Sequence, residues 1–345
     1  MAGIGLGGSI AADFGSKNLY ILSDENEQPY SCASLALVSS ENITDVYAVG
    51  DDALRMDGRT GDDAVLVSPV NYGGVADSEL SAMLLLSAAE KAVQRRRPFD
   101  NGNLVLSVPC GATRVERAAL GRAAELAGAK HALVVKAPLA AAAALGCRID
   151  KAEGQLVVTI GANVTEITVI SAFGIALSRH IKVGSSLFDE AIGDFIRANH
   201  GLIVPDYTAE SIKKDMGSAV KEERSANVTL RGLNVKTGRP SSVSIASCDI
   251  YNVLQQPLRY LTGRICDALF SIPAEFSSDI LKNGVYLTGG GSMLHGFDKM
   301  LEDALALPVH QSAEPAFDTV KGLMKIAGDS RLCHGVLSAG SAYEI

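Results

Sequence analysis

No arrangement in this 345-residue chain resembles a transition-metal site or a disulfide framework. Its six cysteines (Cys32, Cys110, Cys147, Cys248, Cys266 and Cys333) lie far apart with no Cys-x-x-Cys pair, and its six histidines include no His-x-x-x-His pair. Zinc sites and reactive dithiols are built on such close spacings, so both classes are set aside. No basic n-region precedes the apolar opening MAGIGLGGSIAA, which reads as the approach to a first strand rather than a targeting segment. Without a signal peptide, scattered cysteines read as reduced thiols of a cytoplasmic protein, mostly packed in the core. Positive charge is also in short supply: 31 Lys and Arg against 39 Asp and Glu leave a formal net charge of −8. Phosphate backbones demand basic surface, which argues against a nucleic-acid partner. The one basic run, Arg95-Arg96-Arg97, follows an apolar helical stretch and reads as cations at a helix C-terminus, with an anionic surface as the alternative. The longest apolar run, PLAAAAALG, is too short to cross a bilayer.

What is present is the material of a large soluble core. Hydrophobic residues make up 47% of the chain and charged residues 20%, and the length suits two domains or one domain with a deep cleft. Leu104–Val108 reads as a short buried strand that Pro109-Cys110-Gly111 breaks. Thr113 and Glu116 then form a capping box that opens a helix running to about Gly128. A second strand, Ala132–Val135, gives way to Pro138, which suits the first turn of an alanine-rich helix over Leu139–Leu145. Those alanines let the helix approach its neighbour very closely. A third unit runs from Val285–Thr288 through Gly289-Gly290-Gly291 into a helix around Phe297–Leu305. This alternation predicts an α/β fold.

A weak internal repeat is more informative. Ile10–Ser16 is followed by apolar Leu19–Leu22, and Val157–Gly161 by apolar Ile167–Ile170. Each reads as a β-hairpin with a turn of Gly and small polar residues. The same hairpin near the start of each half suggests two similar lobes with a ligand cleft between them. Such turns can aim backbone N–H groups at a phosphate. Ser16, Lys17 and Asn18 add side-chain donors, and Asp13 could hold a magnesium ion through water; a purely structural turn is the alternative. Three consecutive glycines, Gly289 to Gly291, suit close approach of a flat or anionic ligand to a helix N-terminus, or else a flexible connector.

Longer stretches carry a specific resemblance. GRTGDDA from Gly58, GGVAD from Gly73, VPCGATRVERAAL from Val108, FDEAI from Phe188, TAESIKKDMGSA from Thr208 and LTGGGSMLHGFDKML from Leu287 follow the order and spacing of one family over nearly the whole chain. The chain resembles the MreB-type bacterial actins, within the superfamily of actins, chaperone ATPases and sugar kinases. The resemblance implies an actin-like fold of two α/β lobes: lobe I over 1–137 with a small subdomain at about 25–65, lobe II over 138–310 with an inserted subdomain at about 185–248, and 311–345 returning to lobe I. It further implies ATP with Mg2+ as ligand, filaments of the chain itself as product, and a role in cell shape or intracellular organisation.

Position by position, the resemblance places Asp13, Gly15, Ser16, Lys17 and Asn18 in the first phosphate hairpin. It places Gly161, Ala162, Asn163, Val164 and Thr165 in the second, Glu210 and Lys213 at ribose and adenine, and Gly289, Gly290, Gly291, Ser292 and Met293 in the adenosine motif. From the residues alone, Glu210 and Lys213 would read as an exposed helix salt bridge.

Three departures bear on chemistry. Where the family has Asp-x-Gly-Gly-Gly-Thr, this chain has Thr159-Ile160-Gly161-Ala162-Asn163-Val164, and a metal-organising aspartate is lost. Where the family has Glu-Glu-Pro, Lys136-Ala137-Pro138 stands, so the glutamate that orients the attacking water is Ala137. Gly184-Ser185-Ser186 replaces Gly-Gly-Asp. Backbone amides can still grip phosphates, but hydrolysis needs metal and water placed together, so the chain is expected to be at most a slow ATPase. A non-polymerising nucleotide-dependent regulator, or a small-molecule kinase of the same superfamily, is the alternative. At the membrane, the Pro98-Phe99 loop beside the arginines is the one candidate anchor, and weak or adaptor-mediated attachment is expected.

Overall fold

The computed structural model describes residues 8–100, 103–221 and 226–345. The apolar opening over residues 1–7 lies outside the described residues. The chain first makes a hairpin of β1 (Ile10–Phe14) and β2 (Asn18–Ser23), which β3 (Tyr30–Ala33) extends. A small sheet follows, in which β4 (Ala36–Ser39) is flanked by β5 (Val46–Val49) and β6 (Ala64–Val67), with α1 (Asp51–Met56) against it. β7 (Val70–Asn71) and β8 (Gly74–Val75) form a tight pair ahead of α2 (Ser78–Val93). The Asp77 carboxylate caps α2 by accepting from the N–H groups of Glu79 and Leu80.

Two strand–helix units complete this half: β9 (Leu104–Val108) with α3 (Arg114–Leu126), then β10 (Ala132–Lys136) with α4 (Ala137–Ala144). The capping box read from Thr113 and Glu116 is present in full at the start of α3. All five residues of β9 are buried, as befits a parallel strand covered on both faces.

The second half repeats the plan. β11 (Gln155–Ile160) and β12 (Thr165–Ser171) form the equivalent hairpin, and β13 (Gly174–Ile181) extends it. After α5 (Ser186–His200), β14 (Leu202–Ile203), α6 (Asp206–Met216), β15 (Asn227–Asn234), β16 (Pro240–Ala246), α7 (Ser247–Leu269) and α8 (Ser277–Asn283), the chain returns to this sheet. It does so through β17 (Val285–Thr288), α9 (Phe297–Leu305) and β18 (Val309–Gln311). The sheet order is β13-β12-β11-β17-β18, and β14, β15 and β16 form a separate small sheet. The first sheet runs β3-β2-β1-β9-β10 in the same sense. In each, an antiparallel three-strand meander is joined by two parallel strands. The C-terminal stretch, α10 (Asp318–Gly328), α11 (Ser330–Ser338) and β19 (Ala342–Glu344), adds β19 to the edge of β10.

Each lobe has its own apolar core, and a third core joins them. That third core is built from α4 and α10 against the inner faces of both sheets, with Val105, Val157, Leu139 and Leu323 all buried. The alanines of α4, buried from Pro138 to Ala143, permit the approach to α10 that their small size predicts.

One sequence expectation is overturned here. Phe99 is 2% exposed and belongs to the first-lobe core, so Pro98-Phe99 does not offer an apolar tip to a membrane. An aromatic beside arginines reads as exposed only until the fold finds it a pocket. The arginine run follows Gln94, the left-handed residue that ends α2, and Arg95 pairs with Glu25 at 3.2 Å. Among the described residues, no helix is long and apolar enough to cross a membrane.

Candidate functional site

The two hairpin turns face each other across a cleft of about 640 Å³. They are built alike. In the first, the Gly15 N–H donates to Asn18 O at 3.0 Å; in the second, the Gly161 N–H donates to Val164 O at 2.9 Å. A Cβ at either glycine would stand within 3 Å of that accepting carbonyl (2.6 and 2.9 Å), so both turns close only on glycine. The second turn is fixed further by the start of α5, where the N–H groups of Ser185 and Ser186 donate to Gly161 O and Ala162 O, each at 2.9 Å.

The cleft is lined by Asp13, Gly15, Ser16, Lys17 and Asn18 from one lobe, and by Gly161, Ala162, Asn163, Val164, Glu210 and Lys213 from the other. Gly289, Gly290, Gly291 and Met293 close its far side, and Ala137 and Thr159 both reach it. Two expected residues stand behind this lining. Thr165 is buried and its hydroxyl donates to Val183 O at 2.8 Å. Ser292 is buried, donating to Gly289 O and accepting from Gln311 Nε2, both at 2.7 Å. The three glycines also differ from expectation. They lead into a short 3₁₀ turn over Gly290–Met293, and α9 starts only at Phe297, so no α-helix N-terminus lies directly behind them. Tight 3₁₀ geometry is a common way to leave a strand end.

Glu210 and Lys213 do not pair with one another as an exposed i,i+3 couple. Lys17 Nζ reaches across the cleft to Asp189 at 2.9 Å and Glu210 at 3.0 Å, while Lys213 meets Asp189 at 2.8 Å and Lys214 meets Glu210 at 2.9 Å. Burial alone would lower the Lys17 ammonium, but the charges and hydrogen bonds of Asp189 and Glu210 together raise it. Lys213 is pushed down, because its burial outweighs the attraction of Asp189. Glu210 is held low despite burial by Lys214 and Lys17. These pairs tie the first hairpin to α5 and α6.

Asp13 sits at the end of β1, partly buried, and accepts from Ser107 Oγ at 2.5 Å. Burial pushes its carboxyl up to about 6, against the Ser107 hydrogen bond and with a further push from Glu166. Thr159 Oγ1 is buried and has no hydrogen-bond partner among the described residues. Among the described residues no three His, Cys, Asp or Glu side chains cluster as a metal site. Asp13 and the orphaned Thr159 hydroxyl are hard oxygen donors that fit waters around magnesium, with most ligands left to solvent and phosphate.

The raised Asp13 carboxyl makes the stability of the protein depend on pH. Unfolded, this group titrates near 3.8; folded, near 6. Between those values the native state holds the extra proton, so stability contributed through Asp13 falls as pH rises from about 4 to about 6. At pH 7 the ionised group opposes folding by on the order of 2–3 kcal/mol. Asp13→Asn should therefore raise the melting temperature of the unliganded protein by several degrees at pH 7 and by little at pH 4.5. Equal shifts at the two pH values would refute this account.

Sequence reasoning missed Glu166, Asp189, Ser107 and Tyr20, all of which serve the cleft or its walls. Asp189 lies 172 residues from its partner Lys17, a pairing no local pattern announces.

The comparisons with known proteins agree with this geometry. A model of the MreB/Mbl protein family matches residues 7–334. The cell shape-determining protein MreB of Escherichia coli (strain K12) is 34% identical over 277 residues, covering 80% of each chain. The cell shape-determining protein Mbl of Bacillus subtilis (strain 168) is 32% identical over 275 residues, 80% of this chain and 82% of that one. Crystal structures of MreB5 of Spiroplasma citri superpose with TM-scores of 0.83 when bound to ADP and 0.84 when bound to AMPPNP. Identity is 29% and 28%, over 92% and 96% of this chain and 95% and 98% of those chains.

Proposed function

The chain belongs to the MreB/Mbl family of actin-like cytoskeletal proteins, and on that premise we propose that it is an ATP-binding filament subunit acting in cell shape or intracellular organisation, with slow hydrolysis at most. The observation that carries this reading is the pair of equivalent glycine turns that line one cleft from its two sides. The nucleotide-bound MreB5 structures, with the same fold over more than nine-tenths of this chain, support a nucleotide as the occupant. Gly161 to Val164 and Ser16 to Asn18 would hold the phosphates, Glu210 and Lys213 the ribose and base, and Gly289 to Gly291 with Met293 the adenosine face. Asp13 would hold magnesium through water; the ion would supply charge neutralisation at the phosphates. Ala137 can neither orient nor deprotonate water, so turnover is slow.

The lobe bounds 1–137, 138–310 and 311–345 belong to the same proposal. So does a cytoplasmic protein whose contact with membrane, where it occurs, runs through an adaptor. An actin-like subunit that associates head to tail without closing generates a polymer. Electron microscopy of the purified protein with AMPPNP should show paired protofilaments. A protein that remains monomeric under ATP, ADP and AMPPNP across salt, magnesium and concentration would instead favour the non-polymerising regulator.

A further inference from the structure

One carboxylate on the cleft floor has no part in the nucleotide and metal contacts above. Glu166 lies in β12 and is 6% exposed, yet it lines the cleft. Its Oε1 is held twice: His180 Nδ1 stands 3.0 Å away, and the Cys110 N–H donates to it at 3.0 Å. Its Oε2 takes no hydrogen bond among the described residues and keeps its acceptor capacity. The strand register explains the arrangement. Glu166 is paired across β12 and β13 with His180, and across β11 and β12 with Thr159. Cys110 comes from the opposite lobe, in the loop after β9, and Gly111 beside it leaves room for the imidazole: a Cβ there would stand 2.7 Å from His180 Nε2. That loop also marks the place of Ala137. Lys136 is in register with Val108, so Ala137 follows alongside Pro109, one residue from the amide that holds Glu166.

We propose that Glu166, anchored through Oε1 by His180 and the Cys110 amide, is the water-positioning residue for the residual hydrolysis of this chain, reaching from the opposite lobe toward the corner where Ala137 stands. The inference rests on nucleotide occupying the cleft. A carboxylate with a single anchored oxygen is fixed in orientation yet keeps acceptor capacity for one water. In the step it serves, the water oxygen bonds to the γ-phosphorus as the bond to the β–γ bridging oxygen breaks. The proton leaving the water passes by Oε2 and ends on the inorganic phosphate, with ADP as the other product. The charged and titratable groups around this corner are His180 on β13, Asp13 on β1, Cys110 in its loop and Lys136 at the end of β10.

The test compares wild type with Glu166→Gln, which keeps shape and an accepting oxygen but loses the charge. Three quantities are read: phosphate release from ATP, affinity for a fluorescent ATP analogue, and the titration of His180 by NMR in nucleotide-free protein. Expected are a phosphate-release rate at least ten-fold lower, an affinity within about two-fold of wild type, and a His180 that titrates above the ordinary imidazole range in wild type and returns toward it in the variant. Unchanged release with unchanged affinity overturns the proposal. So does a loss of affinity matching the loss of release, which would make Glu166 structural, or wild-type release no faster than the buffer blank. Failure of the wild type to bind the analogue would instead reject nucleotide as the cleft's ligand, a different result from any of these.

Discussion

Replacing Ala137 by Glu and Thr159 by Asp together should raise phosphate release at least ten-fold above wild type, and by as much as roughly 10²–10⁴-fold if the water is fully positioned. Both side chains reach the cleft, and both stand where the resemblance expects an acid. Thr159 Oγ1 already lacks a partner, so the position offers an unsatisfied hydroxyl rather than a packed apolar wall. The Thr159→Asp change would add a charge opposite Glu166, its cross-strand neighbour, which itself already pushes up the Asp13 carboxyl. Three carboxylates so close repel one another until a divalent cation joins them. The double variant should therefore melt lower than wild type without ligand and regain stability with magnesium and nucleotide. Its gain in turnover should need magnesium. Single variants separate the parts: Ala137→Glu acts on the water, Thr159→Asp on the metal. Filaments of the double variant should disassemble as phosphate is released, whereas wild-type filaments persist. A wild-type turnover equal to that of Escherichia coli MreB measured alongside would sink the reading of the two losses. No gain in the double variant would show that Asn163, Val164 or Ser186 also blocks the reaction.

The framework of this site was legible because its signals are local. A glycine turn between two apolar strands is written in consecutive residues, and it occurs twice, at Gly15 and Gly161. The capping box at Thr113 and the bounds of α9 were equally local. What escaped was whatever needs the fold to bring distant residues together. Glu166 is one polar residue in an apolar strand, and its holding amide at Cys110 is 56 positions away in the other lobe. Read alone, TEITVIS is a strand with an odd glutamate. Phe99 failed in the opposite direction: its neighbours are charged, but the space beneath it is apolar. The triple glycine and the helix after it were located correctly along the chain, yet the 3₁₀ turn between them was not read, because glycine reports freedom and not which conformation uses it.

Gly322→Val should prevent the chain from folding, and Gly322→Ala should destabilise it by more than about 4 kcal/mol, the range reserved for core changes that nothing can absorb. A Cβ on Gly322 would stand 1.7 Å from Ala140 O and 2.4 Å from Ala140 C, which is backbone and cannot rotate away. Ala140 is itself fully buried, flanked by Leu139 and Ala141. Relief would require α4 and α10 to separate, opening the joint between the two lobes at a density that tolerates little change. The sequence signal was the alanine run over 140–144, whose small side chains let a neighbour approach very closely. A second glycine sets the sign of the comparison. Gly263, within α7, would have nothing within 4 Å of an added Cβ, so Gly263→Ala should stabilise by about 0.5–1 kcal/mol through helix propensity alone. Soluble yield and thermal melts of the three variants decide it. Gly322→Ala melting at the wild-type temperature would mean that α4 and α10 do not touch through backbone, and that the two lobes of the cleft are joined by some looser contact.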